Sequence, residues 1–107
     1  MKIYLACPYS HPVQNVRNKR FIDANFQAAE LMSEGHIVFS PISHSHPVAK
    51  TGMLDALDLD FWLKQDLSFI EWCDSVYVMT IDGWSSSKGI QAEVEFARKI
   101  GKPIHFI

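Results

Sequence analysis

The chain has 107 residues, a net charge of −2 and a hydrophobic fraction of 48%, which is typical of one globular domain with a buried core. Its 10 basic and 12 acidic residues form no long basic block, which argues against a nucleic acid polymer as partner. No apolar run is long enough to span a bilayer, and no signal peptide is evident. We therefore expect a single cytoplasmic domain over residues 1–107, without membrane contact.

Apolar runs and helical periodicities alternate along the chain. In the first predicted helix, Phe21, Ala24, Ala28 and Leu31 recur at spacings of three and four residues, and Gly35 ends the helix. The predicted elements are a strand at 3–7, a helix at 13–34, a strand at 36–40, a loop at 41–52, a helix at 54–72, a strand at 75–81, a polar turn at 82–87, a helix at 88–100 and a strand at 103–107.

This alternation predicts parallel βαβ units in an α/β fold, a three-layer sandwich around a flavodoxin-like or Rossmann-like parallel sheet of four to five strands. Ligands of such sheets bind beyond the carboxyl ends of the strands, where the strand order reverses. With the order 2-1-3-4, the reversal lies between the first and third strands. The site is then expected at the loops 8–12 and 82–88.

Two acidic residues, Asp66 and Glu93, stand on apolar helix faces. At three and four positions from them lie only apolar residues and glycine, namely Trp62, Leu63, Phe69 and Ile70 for Asp66 and Gly89, Ile90, Phe96 and Ala97 for Glu93. Burying a carboxylate without a basic partner is costly, so we interpret both as site residues. Glu95 has Gln91, Arg98 and Lys99 nearby and belongs to a solvated face. The sequence therefore favours Glu93 over Glu95 as the working acid.

The turn from Asp82 to Gly89 contains three consecutive serines, Ser85 to Ser87, beside Lys88. Serine hydroxyls and free N–H groups at a helix start bind phosphate or sugar, although a serine there also caps the helix. The spacing of a P-loop and the GxGxxG fingerprint are both absent, so we expect no dinucleotide and no other cofactor.

The sequence allows two roles for the histidines and two for the cysteines. His44 and His46, with His11, are either metal ligands or polar residues near the pocket, and we favour the second because no third ligand has a known spacing. Cys7 and Cys73 lie in apolar surroundings and are expected to be reduced core residues, with a nucleophilic Cys7 as the alternative.

Two loop aromatics are equally open to interpretation. Tyr9 and Trp84 follow the first and third strands, where they either stack on a base or close the loops over the core.

Three segments together resemble the nucleoside 2-deoxyribosyltransferase superfamily. They are Ile3-Tyr4-Leu5-Ala6-Cys7-Pro8-Tyr9, the helix end Gln65-Asp66-Leu67-Ser68-Phe69-Ile70-Glu71-Trp72-Cys73-Asp74, and Ser87-Lys88-Gly89-Ile90-Gln91-Ala92-Glu93-Val94-Glu95-Phe96-Ala97 followed by Gly101-Lys102-Pro103. The Ser-His-Ser-His-Pro stretch at 43–47 and the Gly-Trp pair at 83–84 are similar to a small bacterial and phage subgroup, the DUF1937-like proteins.

The resemblance implies roles for particular residues. The family's catalytic glutamate falls on Glu93 and its sugar-orienting aspartate on Asp66. A phosphate-contacting serine falls on Ser87, and the first-loop contacts fall near Tyr9 and Ser10. We place all candidate substrate-binding residues in one set, which is Tyr9, Ser10, His44, His46, Trp84, Ser85, Ser87 and Gly89.

The sequence also departs from the family pattern. Glu95 stands where the family often has a glycine, and the resemblance implies a pocket completed by a residue of a partner subunit. We therefore expect a homodimer or higher homo-oligomer. The excess of aromatic residues on the helix 54–72, including Trp62 and Trp72, is the expected contact surface.

The expected function is cleavage or transfer of the N-glycosidic bond of a nucleoside or nucleoside 5′-monophosphate, with Glu93 as the nucleophile and Asp66 binding the sugar or moving a proton. One alternative is a nucleotide-binding sensor that keeps the pocket but lacks turnover, which Glu95 beside Glu93 favours. A second alternative is a metallohydrolase that uses His11, His44 and His46.

Overall fold

The computed structural model describes all 107 residues and contains four strands and four α-helices. In chain order these are β1 (Lys2–Ala6), α1 (Gln14–Ser33), β2 (Ile37–Phe39), α2 (Pro41–Thr51), α3 (Leu59–Trp72), β3 (Ser75–Val78), α4 (Lys88–Lys99) and β4 (Ile104–Phe106), with a short 3₁₀ turn at Trp84–Ser86 before α4. No helix is both long enough and apolar enough to cross a membrane.

The sheet confirms the predicted fold class, and its strand order is the one assumed above in placing the site. Its order is β2-β1-β3-β4, and every neighbouring pair is parallel. Strand β1 is central, and Tyr4 pairs with Phe39 on one side and with Val76 on the other. The reversal of strand order therefore lies between β1 and β3, and the loops after these two strands meet at one edge of the sheet.

Helices cover both faces of the sheet, as a parallel sheet requires. On one face, Tyr4 and Ala6 of β1 pack with Ile70 of α3 and Ala97 of α4. On the other face, Ile3 and Leu5 pack with the small buried residues of α1. Alternation along β1 thus sends every second side chain toward α3 and α4.

The prediction of a loop at 41–52 was wrong, because this segment forms α2. Ser40 caps the helix by accepting a hydrogen bond from the Ser43 N–H at 3.3 Å. Pro41 occupies the first helical position, where the missing N–H has no intrahelical partner to lose. Pro41, Ser45 and Ala49, spaced four residues apart, form the buried face, and Pro47 is accommodated inside the helix. The two prolines and the polar residues concealed this pattern.

Helix α3 begins at Leu59, five residues later than the predicted start at 54. Asp58 caps it by accepting from the Phe61 N–H at 3.2 Å. The preceding residues form turns in which Asp55 accepts from the Leu57 N–H at 2.9 Å. Asp55 thus satisfies a backbone donor before the helix, and Asp58 satisfies one in the first helical turn, so the helix starts at Leu59.

The aromatic surface expected to form a subunit contact is partly exposed. Phe61 is 41% exposed, Trp72 is 37% exposed and Phe69 is 36% exposed, so apolar area remains on α3 for a second copy to cover. Trp62 is half-buried, and its Nε1 donates to the Asp55 carbonyl at 2.9 Å. Self-association stays a prediction.

A buried arginine connects the two loops at the reversal point. Arg20 of α1 is 9% exposed, and its guanidinium donates to the carbonyl oxygens of Ser10 and Asp82, both at 3.2 Å. Gly83, with a φ of +89°, lies so close that an added Cβ would collide with Nη2 of Arg20. Glycine is therefore needed at position 83 for two reasons, the left-handed backbone and the space that Arg20 occupies.

Gly83→Ala is expected to destabilise the protein by about 2 kcal/mol or more, since the left-handed backbone is strained and Arg20 must move. Gly35→Ala is the matched control, because Gly35 has a φ of +97° and nothing within 4 Å of the added Cβ. Urea unfolding of both variants isolates the contribution of the Arg20 contact. Equal losses would show that Arg20 makes room for the added Cβ without measurable cost.

Candidate functional site

An open pocket lies at the carboxyl end of β1, between α2, α3 and the start of α4. It contains both acidic residues singled out by the sequence, Asp66 and Glu93, together with Tyr9, Ser10 and Ser87. The rest of its lining is largely apolar and comprises Cys7, Ile42, Ser45, Ala49, Ala56, Leu59, Trp62, Leu63 and Gly89. A concave, mostly apolar cleft with a few convergent polar groups is typical of a small-molecule site.

Glu93 is the most buried acid of the pocket, with 5% of its surface exposed. Helix α4 places it there, because Ser87 caps the helix by accepting from the Ile90 N–H at 3.2 Å and Glu93 follows in the second turn on the buried face. The hydroxyl of Tyr4, fully buried on β1, donates to Oε2 of Glu93. The carboxyl group is therefore held in one orientation at the bottom of the pocket.

The pKa of Glu93 is raised to about 8. Burial is the main cause, because it disfavours the charged form. The hydrogen bond from Tyr4 acts in the opposite direction, and the negative charge of Asp66 adds to the increase. Burial also raises the pKa of Tyr4 well above its usual value, so the tyrosine remains a proton-bearing donor.

Asp66 projects from α3 into the same pocket and is half-buried. Burial raises the pKa of its carboxyl group to about 7. No basic residue is paired with either acid, since the one ion pair of the chain joins Lys19 to Asp23. Near neutral pH the two carboxyl groups together keep at least one proton, and the site can both donate a proton and present a carboxylate.

Four of the eight candidate substrate-binding residues line this pocket, and four do not. Tyr9, Ser10, Ser87 and Gly89 line it with the two acids. Ser85 is exposed, and its carbonyl accepts from Nε2 of Gln91 at 3.3 Å.

Trp84 and the two histidines of α2 also lie outside the lining. The Trp84 ring packs against Phe106, with 5.5 Å between the ring centroids, and closes the loop over the core. His44 is exposed beside Phe39. His46 stacks on Phe21 at 4.2 Å between the centroids.

The histidines discussed as metal ligands have other contacts. Nδ1 of His11 accepts from the Val13 N–H at 3.0 Å, and Nδ1 of His46 shares a hydrogen bond with the Tyr9 hydroxyl at 2.6 Å. No three His, Cys, Asp or Glu side chains come close enough to hold a metal ion.

The two cysteines lie in the core, as expected of reduced structural residues. Cys7 and Cys73 are both buried and unbonded to each other. Burial raises the pKa of Cys7 to about 12, so its thiol stays protonated at neutral pH, and a protonated thiol is a poor nucleophile.

Sequence reasoning missed Tyr4 as a site residue. A strand covered on both faces has apolar residues at every position, so a tyrosine there looks like ordinary core. The signal that could have found it is geometric. Tyr4 points to the same face of the sheet as α4, which carries Glu93, and a buried phenol needs a hydrogen-bond partner.

Comparison with known proteins shows which fold and which family the chain has. The chain has the fold of the 2-deoxyribosyltransferases, since it superimposes on the 2-deoxyribosyltransferase of the psychrotolerant bacterium Bacillus psychrosaccharolyticus with a TM-score of 0.69, over 99% of this chain and 71% of that one, at 24% sequence identity. The protein belongs to the DUF1937 family, a domain of unknown function whose model matches residues 1–107. No curated protein matches the sequence.

Proposed function

We propose that the protein cleaves or transfers the N-glycosidic bond of a nucleoside or nucleoside 5′-monophosphate. The observation that carries this proposal is the buried Glu93 carboxyl group, oriented by Tyr4 and facing a pocket that it shares with Asp66. Two acids with raised pKa values in one pocket suit glycosidic chemistry. The similarity to a solved 2-deoxyribosyltransferase supports the same reaction class.

Glu93 is the proposed nucleophile. Its carboxylate attacks the anomeric carbon as the bond from that carbon to the base nitrogen breaks, which gives a glycosyl ester on Glu93. Water then attacks the ester to complete hydrolysis, or a second base attacks to complete transfer. The Tyr4 hydroxyl stabilises the carboxylate before attack and again when it is released.

Asp66 is the proposed proton donor. The departing base carries the electron pair of the broken bond and needs a proton, which the Asp66 carboxyl group can supply because its pKa is about 7. In the second half of the reaction the ionised Asp66 accepts the proton of the incoming water or base.

Four further residues of the pocket are proposed to hold the sugar. Ser87 and Gly89 lie at the start of α4, and Tyr9 and Ser10 lie in the loop after β1. These loops flank the reversal point, so they can hold the sugar from two sides. Trp62 and Leu63 supply apolar surface for a base.

The decisive experiment measures base release from a panel of ribo- and deoxyribonucleosides and their 5′-monophosphates by chromatography. We expect release from at least one member. A panel without release, combined with binding by calorimetry, would overturn the enzymatic proposal and favour a nucleotide-binding sensor. One observation favours that alternative, since the raised pKa of Glu93 keeps most of its carboxyl groups protonated at neutral pH in the empty site.

The pH dependence of kcat/KM is expected to be bell-shaped, with its maximum between pH 7 and 8. The active form has an ionised Glu93 and a protonated Asp66. It is the minor one of the two singly protonated forms, and the two limbs reflect the apparent pKa values of the pair. In Asp66→Asn the falling limb should disappear. The remaining limb should report the ionisation of Glu93 alone, with a pKa below about 8 because the charge of Asp66 no longer raises it. An unchanged profile in this variant would remove Asp66 from the proposal.

A further inference from the structure

A second cleft adjoins the acid pocket and has a different character. The two clefts share Tyr9, Ala49 and Ala56 as a common wall. The other side of the second cleft is formed by residues of α1, α2 and the turn after α2, namely Gln14, Arg17, His46, Lys50 and Leu54. Its cavity volume is about 120 Å³, room for several water-sized groups.

Two cations line this cleft without an acidic partner. Arg17 and Lys50 take part in no ion pair, since the one ion pair of the chain joins Lys19 to Asp23. No Asp or Glu is among the lining residues. The nearest acid along the chain, Asp55, uses Oδ1 to accept from the Leu57 N–H at 2.9 Å. The cleft therefore has an uncompensated positive field.

The polar side chains that line the second cleft are already held by hydrogen bonds. Arg17 is anchored by a hydrogen bond from Nη1 to the His11 carbonyl, and Tyr9 and His46 are joined at 2.6 Å. The pKa of His46 is lowered, by burial first and then by Lys50 and Arg17. Both cations thus disfavour the protonated form of His46. The imidazole stays neutral and is available for hydrogen bonding.

We propose that the second cleft is a phosphate subsite, in which Arg17 and Lys50 bind the phosphate monoester of a nucleotide whose sugar occupies the acid pocket. A phosphate dianion matches two unpaired cations, and the guanidinium and ammonium groups form charge-assisted hydrogen bonds with its oxygens. The inference rests on the proposed function, because it names the phosphorylated substrate as the preferred one. It assigns phosphate selectivity to α1 and α2 rather than to the serine turn before α4.

Calorimetry with the intact protein tests the subsite without requiring turnover. The probes are a nucleoside, its 5′-monophosphate and inorganic phosphate. We expect the monophosphate to bind at least tenfold more tightly than the nucleoside. Lys50→Gln and Arg17→Gln should each remove most of this difference while leaving nucleoside binding unchanged. Lys50 is the cleaner probe, because no hydrogen bond within the protein depends on its side chain, whereas Arg17 also holds the His11 carbonyl.

Lys19→Gln is the matched control. Lys19 lies on α1 two residues from Arg17, is exposed and is paired with Asp23 outside the cleft, so its loss should not change the ratio of the two affinities. Equal binding of nucleoside and monophosphate, or an equal effect of Lys19→Gln and Lys50→Gln, would overturn the subsite. Inorganic phosphate that binds without competing with the monophosphate would also overturn it. Phosphate-selective binding without base release would support the subsite and contradict the proposed function, so the two failures are distinguishable.

Discussion

Glu93→Gln is expected to reduce base release by about 10³-fold or more, since an amide cannot attack the anomeric carbon or carry the charge that stabilises it. Glutamine has the same shape, and its amide oxygen can still accept the hydrogen bond from Tyr4. The fold and nucleoside binding should therefore persist. Single-turnover assays, with binding measured in parallel, separate a loss of chemistry from a loss of affinity.

Helix α4 offers a matched control for this experiment. Glu95 lies two residues further along the same helix, but it is exposed and lies outside the pocket lining. Glu95→Gln makes the same chemical change on the exposed face of the same helix, and activity close to that of the unchanged protein is expected. Full activity in Glu93→Gln, or an equal loss in both variants, would contradict the assignment of Glu93 as nucleophile.

The same substitution is expected to stabilise the protein at alkaline pH. A glutamate in the unfolded chain loses its proton near pH 4.5, whereas in the folded protein the pKa of Glu93 is about 8. Between these values the folded state binds more protons than the unfolded state, so rising pH removes stability. The loss is complete only above the folded pKa. Below pH 4.5 the carboxyl group is protonated in both states and contributes no pH dependence.

Glu93→Gln removes this dependence. From the change in pKa, the variant should gain on the order of 4 kcal/mol in the free energy of unfolding, relative to the unchanged protein, between pH 4.5 and pH 9. Urea unfolding at both pH values measures this gain, with Glu95→Gln as the control that should gain nothing. A variant that follows the unchanged protein at both pH values would show that Glu93 ionises freely in the folded state. Loss of activity together with a gain in stability is the pattern expected of a functional site.

The fold was largely predictable from the sequence, because its parallel strands and long amphipathic helices follow two clear periodicities. The buried residues of α1 recur at spacings of three and four, and Gly35 ends the helix as expected. The failure at α2 has a local cause. Pro41 and Pro47 indicate a break when each is considered alone, and only the cap by Ser40 and the buried face at four-residue spacing reveal a helix.

The candidate site was predictable where helix periodicity alone determines burial. The preference for Glu93 over Glu95 follows from their neighbours three and four positions away, and the structure places Glu93 inside and Glu95 outside. Position along the chain predicts membership of a loop but not the direction of a side chain. For this reason the sequence places Trp84 in the pocket although its ring packs against Phe106. It also places His46 there, whereas His46 stacks on Phe21 and contacts the pocket only through its hydrogen bond with Tyr9.

The hydrogen bonds made by Arg20 affect how the sequence of this fold can evolve. Its guanidinium binds carbonyl oxygens of residues 10 and 82, which every amino acid possesses. The side chains presented by the two loops can therefore be replaced without loss of the hydrogen bonds that position those loops. Substrate preference is free to diversify while the scaffold is preserved, and the constraint concentrates on Arg20 itself and on the glycine beside it.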